Sequence, residues 1–129
     1  MSKVPEQLKY SKEHEWVSVS DDNIVRVGVT DYAQDSLGDI VFVEAPEVGT
    51  EVTKDAAFGT IESVKAVSDI YAPISGNISS QNSAIESDPA IVNSDPYGEG
   101  WLVEISDIKT EELDSLMTSD QYQEFLSSL

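Results

Sequence analysis

The stretch Gly59-Thr60-Ile61-Glu62-Ser63-Val64-Lys65-Ala66-Val67-Ser68-Asp69-Ile70 decides the fold that we predict for this chain. One strand-like run leads into Lys65, small or β-branched residues surround it, and a second run leads out, which indicates two strands joined by a turn. The flanking strands would fix that turn, so the Lys65 ammonium would project into solvent from a stiff support. Such a lysine suits the attachment of a tethered cofactor. By the local pattern alone, an ordinary exposed turn lysine is the stronger interpretation.

Short strands are also predicted over most of the remaining chain. Runs of β-branched and aromatic residues alternate with turn clusters such as Asp21-Asp22-Asn23, which is typical of hairpins. We expect strands over His14–Ser20, Ile24–Val29, Asp39–Glu44, Glu51–Val52, Phe58–Val64, Val67–Tyr71 and Trp101–Ile105. The core of the resulting sandwich should draw on Trp16, Val25, Val27, Val41, Val43, Ile61, Ile70, Ile78, Trp101 and Val103.

Helices are expected to be short and peripheral. The segment Thr30–Gln34 has the composition of a helix start, and Gly38 is placed to end that helix after about two turns. Asp88 is expected to cap a single helical turn that has Pro89 at its first position. Residues 110–129 carry apolar stripes that should cover an open end of the core.

Length and composition indicate a single domain over residues 1–129, with its core at about 10–106 and a helical segment at 110–129. Hydrophobic residues make up 40% of the chain, yet none of its stretches approaches the roughly 20 apolar residues of a membrane span. The first ten residues lack the features of a signal or transit peptide. We therefore expect a cytoplasmic location, or the mitochondrial matrix only if a transit peptide has been removed.

The charge balance bears on the partners. The chain has 25 acidic and 7 basic residues, a formal net charge of −18, which would repel nucleic acid. The acidity either steers the protein toward basic docking surfaces or serves solubility, and the sequence favours neither interpretation.

Catalytic groups are scarce. The chain has no cysteine and a single histidine, His14, which we expect to pack in a strand beside Trp16. The chain has few side chains from which a catalytic triad or a metal site could be built, so we expect no catalytic residue and no metal. The composition favours a carrier or binding protein over an enzyme.

Several blocks resemble the glycine cleavage H-protein family, and they occur in the family's order. Residues Glu62–Asp69 are similar to its lipoyl-attachment motif. From about Leu8 to the end, the other matching blocks are Tyr10–Val17, Thr30–Gln34, Leu37–Val43, Pro46–Gly49 and Val92–Trp101. The resemblance implies a mostly β fold, the barrel-sandwich hybrid of biotinyl and lipoyl carriers, with short peripheral and C-terminal helices.

The resemblance also implies a mechanism. Lipoate would be joined to Lys65 as N6-lipoyllysine by a lipoate ligase or a lipoyl/octanoyl transferase, with Glu62, Ser63, Val64 and Ala66 forming the attachment turn. A pyridoxal-phosphate glycine decarboxylase (P protein) would load an aminomethyl group onto the arm. An aminomethyltransferase (T protein) would pass the one-carbon unit to tetrahydrofolate, and a dihydrolipoyl dehydrogenase (L protein) would reoxidise the dithiol.

Some family members hold the loaded arm in a surface cleft. The positions matching the cleft residues here are Glu15, whose carboxylate would pair with the cationic amine, and Ser36, where plant-type members often have histidine. A serine accepts a hydrogen bond but supplies no titrating ring.

Four alternatives remain beside this interpretation. A 2-oxoacid dehydrogenase lipoyl domain usually has aspartate where Val64 stands, and a biotin carrier usually has methionines where Val64 and Ala66 flank the lysine. A scaffold that relays lipoyl groups to other enzymes would coexist with the carrier role. An acidic interaction domain would require Lys65 to stay unmodified.

Overall fold

The computed structural model describes residues 3–20 and 22–129, which form two antiparallel sheets. The strands are β1 (Lys9–Tyr10), β2 (Glu15–Val19), β3 (Val25–Val29), β4 (Ile40–Glu44), β5 (Glu51–Val52), β6 (Ala57–Ser63), β7 (Val67–Tyr71), β8 (Gly76–Gln81) and β9 (Val103–Ser106). Within the described residues, one sheet has six strands in the order β1-β2-β3-β9-β8-β5, and the other has three in the order β4-β6-β7. The predicted mostly β sandwich is confirmed. Asp21, in the predicted turn, lies outside the described residues.

The core forms because β-branched residues alternate along strands that lie opposite each other. In β3, Val25 and Val27 are buried while Arg26 between them is exposed. These two valines pair with Ile105 and Val103 of β9. Each such side chain contributes roughly 1.5–3 kcal/mol when it leaves water. The main cluster also contains Val17, Val43, Val52, Ile61, Ile70, Ile74, Ile78, Ile85, Val92 and Leu102.

Short helices connect and flank the strands, and no helix among the described residues is long and apolar enough to cross a membrane. Thr30 caps the first helix by accepting a hydrogen bond from the Ala33 amide, and Gly38 ends it with a φ of 82°. The Thr118 hydroxyl and the Gln121 side chain form a capping box at the start of the last helix. The helices are α1 (Asp31–Leu37), α2 (Ser83–Ser87), α3 (Ile91–Ser94), a 3₁₀ helix (Thr110–Ser115) and α4 (Ser119–Ser127).

The C-terminal segment covers one end of the sandwich, as predicted. Tyr122 of α4 is fully buried and stacks on Tyr10 with ring centroids 4.6 Å apart. The backbone groups of Tyr10 and Met117 exchange two hydrogen bonds, of 2.9 and 2.7 Å. Leu129, by contrast, lies at the exposed end.

The structure corrects three expectations about the helix caps and the core. Asp88 does not cap a helix start, because it ends α2, and α3 begins after Ala90. Val41 lies outside the core, since the β4–β6 register shifts between Ile40 and Phe42 and the resulting bulge leaves Val41 51% exposed. Trp101 is only partly buried and packs at the edge of a second cluster around Trp16.

Candidate functional site

Lys65 lies at the exposed tip of the β6–β7 hairpin. Glu62 and Val67 form the last paired position of the two strands, and the Ser63 amide donates a 2.8 Å hydrogen bond to the Ala66 carbonyl. Lys65 itself is exposed, so its amine is accessible to an enzyme.

Ser63 stiffens this turn from inside. Its Oγ accepts hydrogen bonds from the amides of Lys65 and Ala66, at 3.4 and 3.2 Å, and lies 3.3 Å from the Ala66 carbonyl, to which it donates. Serine side chains commonly close turns in this way. Because Ser63 is buried, water competes little for these bonds.

A second segment, Gly38–Ile40, supports the turn from the side. The Val64 amide donates a 3.0 Å hydrogen bond to the Asp39 carbonyl. Asn93 of α3 fixes this segment, since its Nδ2 donates to the Gly38 carbonyl at 2.8 Å and its Oδ1 accepts from the Ile40 amide at 2.9 Å. The sequence interpretation did not assign Asn93 a role, because no local pattern reveals a contact across more than 50 residues.

The side chain of Lys65 extends over Gly38. A Cβ atom added at Gly38 would lie 3.5 Å from the Lys65 Cε, and the positive φ of Gly38 would strain any other residue. Gly38 therefore ends α1 because of its backbone conformation, and an added Cβ would make only an ordinary van der Waals contact with the lysine stem. Ser36, in the last turn of α1, is exposed.

A cleft of about 520 Å³ lies toward the far end of β7, and Glu15 is one of its lining residues. Tyr71, Leu116 and Met117 contribute to its walls. Glu15 is only 2% exposed. Its carboxylate accepts hydrogen bonds from the Ser11 hydroxyl at 2.5 Å and from the Tyr71 amide at 3.3 Å.

Burial raises the pKa of Glu15 from its usual 4.5 to about 7, although the hydrogen bonds from Ser11 and the Tyr71 amide lower it in part. The carboxyl group is therefore poised between its neutral and ionised forms near neutral pH. A cation that entered the cleft would favour the ionised form.

This raised pKa predicts a pH-dependent stability difference between the wild type and Glu15→Gln. The folded state binds the Glu15 proton more tightly than the unfolded state does. The protonated carboxyl therefore stabilises the folded state fully below pH 4.5, and this stabilisation is lost as pH rises through about 7. We expect the free energy of unfolding of the wild type to fall by about 2 to 3 kcal/mol relative to the variant between pH 5 and pH 8. Urea denaturation at several pH values measures this difference.

Glu47→Gln is the matched control, since Glu47 is exposed and does not contribute to the pKa shift of Glu15; the stability curve of this variant should parallel that of the wild type. Parallel curves for Glu15→Gln as well would contradict the raised pKa.

His14 packs as predicted but not in a strand. It precedes β2 in a turn with a φ of 69°. Its Nδ1 lies 2.8 Å from the Tyr122 hydroxyl, and its ring lies 4.7 Å from that of Tyr32. Burial lowers the pKa of His14, which favours the neutral ring. A packing role accounts for these contacts.

The predicted site residues thus occupy separate places. Lys65 and its turn residues lie at one end of β7, and the Glu15 carboxylate accepts a hydrogen bond from Tyr71 at the other end. The two ends of a strand of this length are roughly 13 Å apart. Ser36 does not line the cleft that contains Glu15. A long flexible arm on Lys65 would be needed to connect the two places.

Comparison with known proteins identifies the family of the chain. Residues 8–129 match the model of the glycine cleavage H-protein family. The glycine cleavage system H protein of Halorhodospira halophila is 52% identical over 127 residues, with 98% of each chain covered. That of Coprothermobacter proteolyticus is 52% identical over 126 residues, covering 96% of this chain and 98% of the relative.

The fold agrees as well. The crystal structure of a glycine cleavage system H protein from Mycobacterium marinum superposes with a TM-score of 0.87 at 38% identity, covering 96% of this chain and 99% of that one. The resemblance inferred from the sequence blocks is therefore confirmed. The chain belongs to the glycine cleavage H-protein family.

Proposed function

We propose that Lys65 carries lipoate in amide linkage and that the chain shuttles an aminomethyl group between the enzymes of the glycine cleavage system. The observation that carries this proposal is the accessible amine at the tip of a hairpin that Ser63 and the Gly38–Ile40 segment hold in place. A rigid base keeps the attachment point of the arm fixed and accessible. Family membership supports the carrier role.

Attachment is an acyl transfer to the Lys65 amine. The deprotonated Nζ attacks the carbonyl of an activated lipoyl group, the new C–N bond forms, and the activating group leaves with the electron pair. A lipoate ligase or a lipoyl/octanoyl transferase supplies the activated acyl group and accepts the proton. Afterwards Lys65 has no charge and takes no further part in bond formation.

The carrier cycle then needs no catalytic residue from this chain. The P protein loads the aminomethyl group, the T protein passes the one-carbon unit to tetrahydrofolate, and the L protein reoxidises the dithiol. The relatives named above are bacterial, which supports a cytoplasmic location for this cycle.

The cleft around Glu15 is the proposed resting place of the loaded arm. Its volume is about 520 Å³, and Tyr71, Leu116 and Met117 offer apolar surface to the arm, while Lys12, Glu13, Lys54 and Asp55 supply charged groups to the lining. The aminomethyl group is cationic, so Glu15 would ionise and pair with it. Ser36 lies outside this cleft and has no part in the proposal.

Peptide mass spectrometry on protein from its native host tests the attachment. Trypsin cleaves after an unmodified Lys65 but not after an acylated one, and the next basic residue along the chain is Lys109. Lipoylation should therefore replace two peptides by one, spanning residues 55–109 with a lipoyl increment. Separate unmodified peptides, or an increment on another lysine, would refute the proposal.

A further inference from the structure

The outer face of the small sheet carries two exposed apolar side chains, one on each side of a carboxylate, beside the Lys65 turn. Phe42 pairs with Glu62, and Glu62 pairs with Val67, so the three side chains lie side by side on one face. Their neighbours Val43 and Ile61 are buried in the core, which directs the row outward. Phe42 is 47% exposed and Val67 is 66% exposed.

Two more apolar side chains extend this row toward the lysine. Val41, in the β4 bulge, is 51% exposed, and Val64, directly before Lys65, is 71% exposed. Single exposed apolar residues are common on protein surfaces, but several of them grouped at one end of a sheet are typical of an interaction site. We call Val41, Phe42, Val64 and Val67 the Phe42 face.

Acidic side chains border the Phe42 face. On the same face, the next row of residues away from the Lys65 turn pairs Glu44 with Thr60 and Thr60 with Asp69. The carboxylates of Glu44 and Asp69 are both exposed. Asp39 is exposed on the segment that supports the turn. With Glu62 between Phe42 and Val67, this surface mixes apolar and acidic side chains, and it calls for a partner that offers both an apolar pocket and lysine or arginine.

We propose that the Phe42 face is the docking surface for the enzyme that acylates Lys65, an inference that rests on the proposed function. That enzyme must bring an acyl carbonyl within bonding distance of the Lys65 Nζ, so its own surface has to cover the turn. Enzymes that act on the finished arm react with its far end, so the chemistry of those steps does not require them to cover the Lys65 turn itself. The Phe42 face lies where the acylating enzyme must make contact.

The test measures acylation kinetics on the full chain, with a lipoate ligase, ATP and lipoate. The variant Phe42→Thr/Val67→Thr removes two apolar side chains of the Phe42 face and places β-branched threonine, which suits strands, at both positions. Both positions are partly exposed, so the fold should persist. We expect KM for the protein to rise about tenfold with kcat nearly unchanged, because hot-spot truncation weakens docking and not the acyl transfer itself. Replacing Phe42→Thr by Phe42→Leu in this double variant should restore most of the affinity for the ligase.

Val48→Ser is the matched control. Val48 is 62% exposed and lies in the loop before β5, away from the hairpin, so its KM should equal that of the wild type. Thermal unfolding of each variant checks that the fold is kept.

The outcomes separate the docking proposal from the proposed function. A wild type that is never acylated on Lys65 overturns both. Normal acylation of Lys65 in the double variant, with unchanged KM, overturns the docking surface alone. Normal acylation combined with slower loading of the lipoylated variant by glycine decarboxylase assigns the face to the decarboxylase and also overturns the proposal.

Discussion

Lys65→Arg should leave the fold intact and abolish both lipoylation and glycine cleavage. Arginine keeps the positive charge and the long stem, and position 65 is exposed, so packing hardly changes. Its guanidinium stays protonated at any physiological pH and provides no free amine to attack an acyl group. Intact mass should show no lipoyl increment. In the reconstituted glycine cleavage system, turnover should fall to the level measured without this protein.

Lys109→Arg is the matched control for this experiment, because Lys109 is also exposed but lies just before the 3₁₀ helix. It should be lipoylated and active at the wild-type rate. Lipoylation of the Lys65→Arg protein at another lysine, with activity retained, would contradict Lys65 as the attachment site. Loss of activity in Lys109→Arg would show that the substitution itself disturbs the protein.

Trp16→Ala should destabilise the protein by about 4 kcal/mol, a large share of the stability of a domain of this size. Trp16 is 1% exposed, and its Nε1 donates a 2.9 Å hydrogen bond to the Pro96 carbonyl. It pairs across the sheet with Gly28, where an added Cβ would lie 2.6 Å from the indole ring. The glycine thus makes room for the ring, and removing the ring leaves a cavity that this site is not shaped to fill.

Trp101→Ala provides the comparison and should cost about 1 to 2 kcal/mol. Trp101 is partly exposed, and one of its faces is covered by the Arg26 guanidinium, 4.6 Å from the ring centroid. Urea denaturation of both variants measures the difference. Equal losses would contradict the distinction that we draw between the two tryptophans.

Much of the fold could be predicted because it depends on local interactions. The two strand-like runs on either side of Lys65 predicted the β6–β7 hairpin, and β7 begins and ends where expected. The helix α1 ends at Gly38 as predicted, because a residue with positive φ is most easily glycine. The predictions were wrong where tertiary contacts determine the local structure. A bulge in β4 exposes Val41, and a turn places His14 outside its predicted strand.

The sequence by itself determined the lysine-tipped hairpin, the β-rich pattern and the ordered blocks that resemble the family, since these depend on neighbouring residues or on their order. The tertiary structure alone decided how firmly the Lys65 turn is held, through Asn93 from α3. It also decided that Glu15 is buried with a raised pKa and that Phe42 shares a face with Val67. Burial and cross-strand register join residues far apart in the chain, and a local pattern does not contain that information.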